Sequence, residues 1–400
     1  MQKQFLTLVT ASLVSGAAFA QSSGPTVYGV ADLALESVKA EGATVAPATN
    51  DIPSRLRLNA NSSLLGVRGK VLVGGSTSVI YQFETYIDLG NNQVTPENTP
   101  IINNGKTVAV SGLAGGGSGT MFGPRRDTFL GMTGDWGTVK AGYLSSGFRG
   151  TVAKYDLAPG ATGVTTSYNV FGLAAPGKSF FQRMPSIMYI TPKFSGFSGG
   201  VNYIPNSAKA VTGGVNPGGW DVSANFEAES LSISLVHTDL KDLLWGGYAS
   251  ESNKSDAAFV SYTFPTNTTI VGMYNRYSGT LVDAITQVGF DIKQNSFYIG
   301  VKQVFGPHEF MANFVSAPAR TGTGLPTALP TVNSGAKQIA FRYGYTIFKN
   351  TQAYISYSSI TNEANVDYNF SVGSIGGSTG AKVQNGADPN AIGFGMRFSF

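Results

Sequence analysis

Gly196-Phe197-Ser198-Gly199-Gly200 has the G-x-S-x-G spacing of a serine nucleophile on a strand-to-helix elbow, whose chemistry needs a partner histidine. The chain has only two histidines, His237 and His308, and the motif falls between two extended segments rather than before a helix. Gly105-Lys106-Thr107 ends like a phosphate-cradling loop, but that motif needs a glycine where Pro100 stands. With no cysteine and two scattered histidines, no transition-metal site is expected. No catalytic residue and no cofactor is expected, so the chemistry must lie in how charge is placed.

Charge is placed by alternation. Successive side chains of a strand point to opposite faces. Leu65, Val67 and Val71 on one face put Arg68 and Lys70 on the other; Val139 and Ala141 do the same for Lys140. Phe297, Ile299 and Val301 oppose Tyr298 and Lys302, and Ile339, Phe341, Tyr343 and Tyr345 oppose Gln338, Arg342 and Thr346. The same sorting puts Arg397, Asp32, Glu84, Asp221 and Glu227 on the polar face. If the apolar faces meet lipid, a misplaced cation costs roughly 2–4 kcal/mol at the bilayer midplane, so these groups must line an interior. The interior set is richer in Lys and Arg than in Asp and Glu, which predicts a mild preference for anions. The alternative is that several cations sit at screened rims and only balance lipopolysaccharide or loop acids.

The elements that would hold these charges are strands. Residues 1–20 read as a secretory signal peptide: Lys3, an apolar run from Phe5 to Val14, and Ala18-Phe19-Ala20 as the cleavage site. Thereafter no apolar run approaches the ~18 residues of a membrane helix, which leaves barrels untouched. Charged residues make up 12% of the chain, about half the ~25% usual in soluble domains, while 18 Tyr and 25 Phe suit interfacial girdles. The net charge of +4 includes no basic tract of the kind that marks nucleic-acid binding.

Segments of about ten residues recur, joined alternately by short turns and longer polar loops. They run Thr26 to Glu36, Leu64 to Val73, Ser78 to Asp88, Phe122 to Thr133, Gly137 to Tyr143, Arg183 to Pro192, Ser198 to Ile204, Trp220 to Glu227 and Leu231 to Asp239. Ser255 to Phe264, Thr268 to Tyr277, Asn295 to Val304, Glu309 to Val315, Lys337 to Phe348, Gln352 to Ile360 and Ala391 to Phe400 complete the set. Asp283 to Ile292 is also strand-like; counting it gives an odd number, so it is assigned to a loop or to an extension of the next strand. The expected fold is all-β: a closed antiparallel transmembrane barrel of about 16 strands over residues 21–400, wide enough for a water-filled channel. Leu144 to Phe181 has no clean period and is too long for an ordinary connection, which marks it as functional or disordered.

Several blocks resemble the general (non-specific) porins of Gram-negative outer membranes, particularly their beta-proteobacterial branch. These are Thr26-Val27-Tyr28-Gly29-Val30-Ala31-Asp32, Tyr81-Gln82-Phe83-Glu84, Phe129 to Val139, Arg183 with Ser186-Ile187-Met188-Tyr189 and Pro192 to Phe197, and Gly393 to Phe400. Their order and spacing cover nearly the whole mature chain. The resemblance implies a homotrimer in which the third loop, about residues 144–181, folds inward and constricts the pore. It implies Arg126 and Arg183 as basic constriction residues and Glu84 as an acidic one; Asp156, Lys154 and Arg68 complete the candidate set. Lys154 and Asp156 share a face if the loop is extended there, and would then pair. Leu64 and Gly142-Tyr143 stand where such porins usually have arginines. The terminal Phe400 resembles the signal read by the barrel-assembly machinery. Expected partners are outer-membrane lipid and lipopolysaccharide, small solutes and ions. A substrate-specific channel for a sugar or an aromatic solute, with Tyr155 and Tyr168 in its loop, is the nearest alternative. A secreted β-rich binding module is a more distant one.

Overall fold

A computed structural model of the chain describes residues 24–44, 51–87, 89, 101–103, 106–108, 122–172, 183–205, 218–241, 244–245, 248–283, 288–326, 329–372, 374–375 and 383–400. The signal-peptide assignment and most of the loop between Leu89 and Met121 lie outside these residues.

Sixteen antiparallel strands form one closed sheet. They are β1 (Thr26–Glu41), β2 in two pieces (Ile52–Asn59 and Leu64–Gly74), β3 (Thr77–Ile87), β4 in two pieces (Phe122–Arg125 and Thr128–Gly134) and β5 (Gly137–Ser145). Next come β6 (Arg183–Ile190), β7 (Phe197–Ile204), β8 (Gly218–Glu227), β9 (Leu231–Lys241) and β10 (Tyr248–Thr263). The circuit finishes with β11 (Thr268–Asp283), β12 (Gly289–Phe305), β13 (His308–Ala317), β14 (Ala336–Phe348), β15 (Thr351–Asn362) and β16 (Asp388–Ser399).

β16 pairs with β1 from Val30↔Ser399 to Glu41↔Asp388, and Gly29 and Phe400 exchange backbone hydrogen bonds of 3.0 and 3.1 Å. Closure leaves no edge to aggregate and satisfies the backbone where no water could. Alternation behaves as expected on β16: Ile392, Phe394, Met396, Phe398 and Phe400 are exposed on the outer wall, and Arg397 turns inward.

The structure adds short pieces of strand, among them Leu244–Trp245, Thr321–Thr323 and, the longest, Ile52–Asn59. Ile52–Asn59 pairs with the upper half of β1, while Leu64–Gly74 pairs with its lower half. The break between them contains Ser62 at φ 49°. Its apolar signal is only Leu56 and Leu58 behind Pro53, too short to stand out in the sequence. Several strands also run further than their apolar alternation. β1 continues to Glu41, β11 to Asp283, and β12 begins at Gly289, so residues 289–292 are the extension allowed for above. In these extensions the inner face stays apolar or small (Tyr277, Leu281, Phe290, Ile292) while the outer face becomes charged.

The short α-helix α1 (Gly147–Tyr155) and the chain after it to residue 172 are packed into the barrel. Phe148, Val152, Val170 and Phe171 are fully buried and share one apolar core with Val236, Phe259, Val271, Tyr298, Met311 and Val315 of the wall. The loop after β15 joins that core through Val366, Tyr368, Phe370, Ile375 and Val383.

Candidate permeation site

The helix that narrows the barrel is clasped at both ends. Ser146 caps it by accepting from the Arg149 backbone N–H at 3.1 Å, satisfying one orphan donor of the first turn. Asp221 of β8 accepts from the Gly147 backbone N–H and from Asn202 Nδ2 at 3.0 Å, placing a carboxylate at the positive end of the helix. At the other end Lys154 pairs with Glu227, also of β8, which Lys193 reaches at 3.0 Å. The buried side of α1 is aromatic. Phe148 stacks on Phe171 with ring centroids 6.1 Å apart, and the edge of Phe259 meets both. Tyr155 Oη lies 3.2 Å from Ser232 Oγ and 3.0 Å from Ser234 Oγ.

Beyond α1 the chain is stitched to the wall. Asn313 Nδ2 donates to the Thr165 carbonyl at 2.9 Å, Gln338 Nε2 to the Thr166 carbonyl at 3.2 Å, and the Gly172 N–H to Ser296 Oγ at 3.2 Å. Thr162 reaches Ser62 at the break in β2 at 2.7 Å. Gly160, at φ +73°, passes so close to Arg397 that a Cβ there would stand 3.1 Å from its Nη2. Residues 146–172 thus touch β2, β8, β9, β12, β13, β14 and β16 from the inside. Of the segment read from the sequence as the constriction loop, residues 173–182 lie outside those described.

Asp156 and Lys154 do not pair, which corrects the expectation from the sequence. The helix ends at Asp156, so its carboxylate turns back under the loop while Lys154 points to β8. Asp156 accepts from the Ala158 N–H at 2.9 Å, Thr166 Oγ1 at 2.6 Å, and Ser167 N and Oγ, both at 2.8 Å. It is buried, and burial pushes its pKa upward against those hydrogen bonds. It is a staple within the loop, and its carboxylate does not face the channel as a constriction acid.

Beside α1, three guanidinium groups converge on Tyr86. Arg126 pairs with Glu84 and lies over the Tyr86 ring at 4.6 Å. Glu84 also accepts from Tyr28 Oη at 2.8 Å. Arg183 pairs with Asp127, which Ser145 Oγ also reaches at 2.8 Å. Arg149 comes from α1, where burial and the charges of Arg183 and Arg126 push its pKa downward. All three act electrostatically on Tyr86. Arg126 and Arg183 are each paired with a carboxylate, and Arg149 brings a third guanidinium beside them.

A second network lines the wall from β13 round to β1. Asp32 accepts from Arg397 Nη1 at 2.9 Å and Tyr354 Oη at 2.6 Å. Arg342 donates to Glu309 at 3.0 Å and Gln352 at 2.7 Å, over the Tyr354 ring at 4.3 Å. Arg397 and Arg342 are thereby neutralised. Arg68 lies one inward step from Glu84, over the Tyr28 ring at 4.8 Å, with Lys70 one step further. Lys140 lies over Phe129 at 5.0 Å. Lys302 also turns inward, and among the described residues Arg68, Lys70 and Lys302 form no ion pair.

A family model described as Gram-negative porin matches residues 6–365 of the 400. The chain belongs to the Gram-negative porin family. Its barrel spans the outer membrane many times, and family and fold are those of a channel rather than an enzyme. The major outer membrane protein P.IA of Neisseria meningitidis (strain H44/76) is 26% identical over 160 residues, covering 40% of this chain and 33% of the relative. The chain thus spans about a third of that relative's length. Among solved structures, the anion-selective porin from Comamonas acidovorans is similar with a TM-score of 0.69 at 21% identity, covering 95% of this chain and 100% of that one. OmpT of Vibrio cholerae in its trimer form is similar at 0.61 and 13%, covering 94% and 99%.

In this porin the sequence brought out Arg126, Arg183 and Glu84, which the structure places together, and Lys154, which it places on the helix clasp. It missed Arg149, Asp127 and Tyr86. Ser146 three residues before Arg149 was the available signal, an N-cap that would have put Arg149 on a helix. The G-x-S-x-G match starts at Gly196 in the turn between β6 and β7, where Ser195 and Gly196 are both at positive φ, and its other four residues open β7.

Proposed function

We propose that this porin forms a water-filled channel for passive diffusion of ions and small hydrophilic solutes, with a mild preference for anions, and that it assembles as a homotrimer. The observation that carries the anion preference is the convergence of Arg126, Arg183 and Arg149 on Tyr86, where Glu84 pairs with Arg126 and Asp127 with Arg183. Clustered charge of one sign in a narrow, partly low-dielectric passage concentrates the opposite ion. Removing Asp156 from the passage and spending Glu227 on Lys154 and Lys193 tilts the same way. The anion selectivity of the Comamonas porin and the trimer form of OmpT support the reading by similarity of fold. Solutes are sorted by width and charge, with no turnover. Phe400 serves in assembly, its ring set over Gly29 at the seam. The test is the reversal potential of a reconstituted channel under a KCl gradient. A sign favouring chloride supports the proposal, and a sign favouring potassium overturns it.

A further inference from the structure

Below the guanidinium cluster the inner wall is not wholly polar. The strand register sets the inward residues of β2 to β6 in rows. The upper row reads Arg68↔Gln82↔Phe129↔Gly142↔Ser186. The lower row reads Lys70↔Ile80↔Gly131↔Lys140↔Met188. β2 and β4 run on from these rows into the short turns at residues 75–76 and 135–136. Short turns mark the periplasmic side, so both rows lie towards the periplasmic mouth of the passage.

Ile80, Phe129 and Met188 therefore face inward among cations. Ile80 is buried, and Phe129 and Met188 are half-buried. With neighbouring strands about 4.8 Å apart, the Lys70 and Lys140 backbones stand roughly 14 Å apart. Ile80 and Gly131 fill that interval, and Gly131 puts no side chain into it. Lys140 Nζ lies over the Phe129 ring at 5.0 Å. The result is a strip of apolar surface with an ammonium group on each side and the Arg68 guanidinium one step above Lys70. A passage that sorts only hydrated ions gains nothing from such a strip, because apolar surface held against water is unfavourable.

The carboxylates nearest the strip are engaged above it. Glu84 holds Tyr28 and Arg126, and Asp127 holds Arg183 while acting on Lys140 only through space. Arg68, Lys70 and Lys140 form no ion pair among the described residues. The inner-loop rings Tyr155 and Tyr168 are buried, so the wall and not the loop offers an aromatic surface here. Ammonium and guanidinium groups hold a carboxylate by charge-assisted hydrogen bonds. A ring attached to that carboxylate is then brought against Phe129, on which an aryl group stacks and an alkyl chain does not.

We propose that Arg68, Lys70, Ile80, Phe129 and Lys140 form a subsite for small aromatic carboxylates on the periplasmic side of the passage. The carboxylate lies on the cations, and the ring lies against Phe129 and Ile80. The subsite rests on the reading of the barrel as an anion-preferring channel and adds a solute class to it. Retention must stay weak enough for the solute to leave, so its signature is brief, saturable block. The probe is sodium benzoate added to single open channels of the full-length porin in KCl. Benzoate reduces the current saturably. Acetate has the charge without the ring and benzamide the ring without the charge, and neither blocks at the same concentration. In K70Q/K140Q the benzoate concentration for half-block rises about tenfold, the loss expected for a charge-assisted hydrogen bond. K70R/K140R is blocked as the wild type is. Phe129→Leu raises the half-block concentration about threefold, the worth of one aromatic contact. Every reading comes from a channel that conducts, so loss of folding does not imitate loss of the subsite. Equal block by acetate marks charge alone, and equal block by benzamide marks the apolar strip alone; either overturns the proposal. So does an unchanged half-block concentration in K70Q/K140Q or in Phe129→Leu. A wild type that favours chloride yet is not blocked by benzoate sinks the subsite alone, whereas one that favours potassium and is not blocked sinks the anion reading with it.

Discussion

Ser371 donates both its backbone N–H and its hydroxyl to the side-chain oxygen of Asn169, at 2.8 and 2.9 Å. Asn169 belongs to the 3₁₀ turn Ser167–Asn169 of the inner loop, and Ser371 to the long loop after β15. The inner loop is therefore held from above as well as by the wall. Arg57 of β2 reaches the Ser374 carbonyl of the same upper loop at 3.3 Å. Replacing Ser371 with Ala keeps the backbone bond and removes one worth about 1 kcal/mol. Single-channel traces of S371A are expected to show added open-state noise at unchanged reversal potential. Traces as quiet as the wild type would show that this bond does not steady the loop.

Arg126→Ala and Arg149→Ala probe the guanidinium cluster. Each removes one cation, and Arg126→Ala also leaves Glu84 with only its Tyr28 bond and residual charge at the passage. A unit charge at about 4 Å in water is worth about 1 kcal/mol, so the chloride-to-potassium permeability ratio should fall a few-fold in R149A and further in R126A. Reversal potentials in a salt gradient measure both, and equal values in all three channels would remove the cluster from the passage.

Phe148→Ala should release the inner loop. The ring is fully buried between Phe171 and Phe259, and such truncations cost about 3–5 kcal/mol. That energy holds α1 to the wall more than it holds the barrel closed. The expected result is a larger single-channel conductance, with proteolysis within residues 147–172, while heat-resistance of the barrel on gels changes little.

The pH dependence of the inner loop follows from Asp156. Burial raises its pKa when the loop is docked, so the docked state binds the proton more tightly than the open state. Its contribution to docking is full below the ordinary carboxylate value of 3.8 and is lost as pH rises through the raised value. Hydrogen exchange at residues 156–168 should therefore report weaker protection, beyond the intrinsic pH effect, as pH increases from acid. In Asp156→Asn that slope should vanish, and a slope that persists would assign it to another group.

The seam gives a test of assembly. A Cβ at Gly29 would stand 2.4 Å from the Phe400 ring, a contact that forces the ring or the strand to move. Gly29→Val should lower the temperature at which the barrel unfolds, with conductance unchanged, because the seam faces away from the passage. Deletion of Phe400 should cut membrane insertion while channels that do form conduct normally. An altered conductance would place the seam effect in the passage.

The sequence by itself determined which faces are apolar, how many strands close the barrel, and which charges turn inward. Those are consequences of a two-residue period, a local property that Ile392, Phe394 and Phe398 against Arg397 already display. The period also located the inner loop, by its absence between Leu144 and Phe181. It could not say what that loop's side chains do. Lys154 meets Glu227, Asp156 meets Thr166 and Ser167, and Arg149 joins Arg126 and Arg183, because a short helix crosses the lumen to strands far away in the chain. The same holds for the first piece of β2, whose pairing with β1 outweighs a weak apolar signal. Partners set by closure of the barrel carry no local periodic mark, so only the tertiary structure decided which inward charges are neutralised and which remain to act on a passing ion.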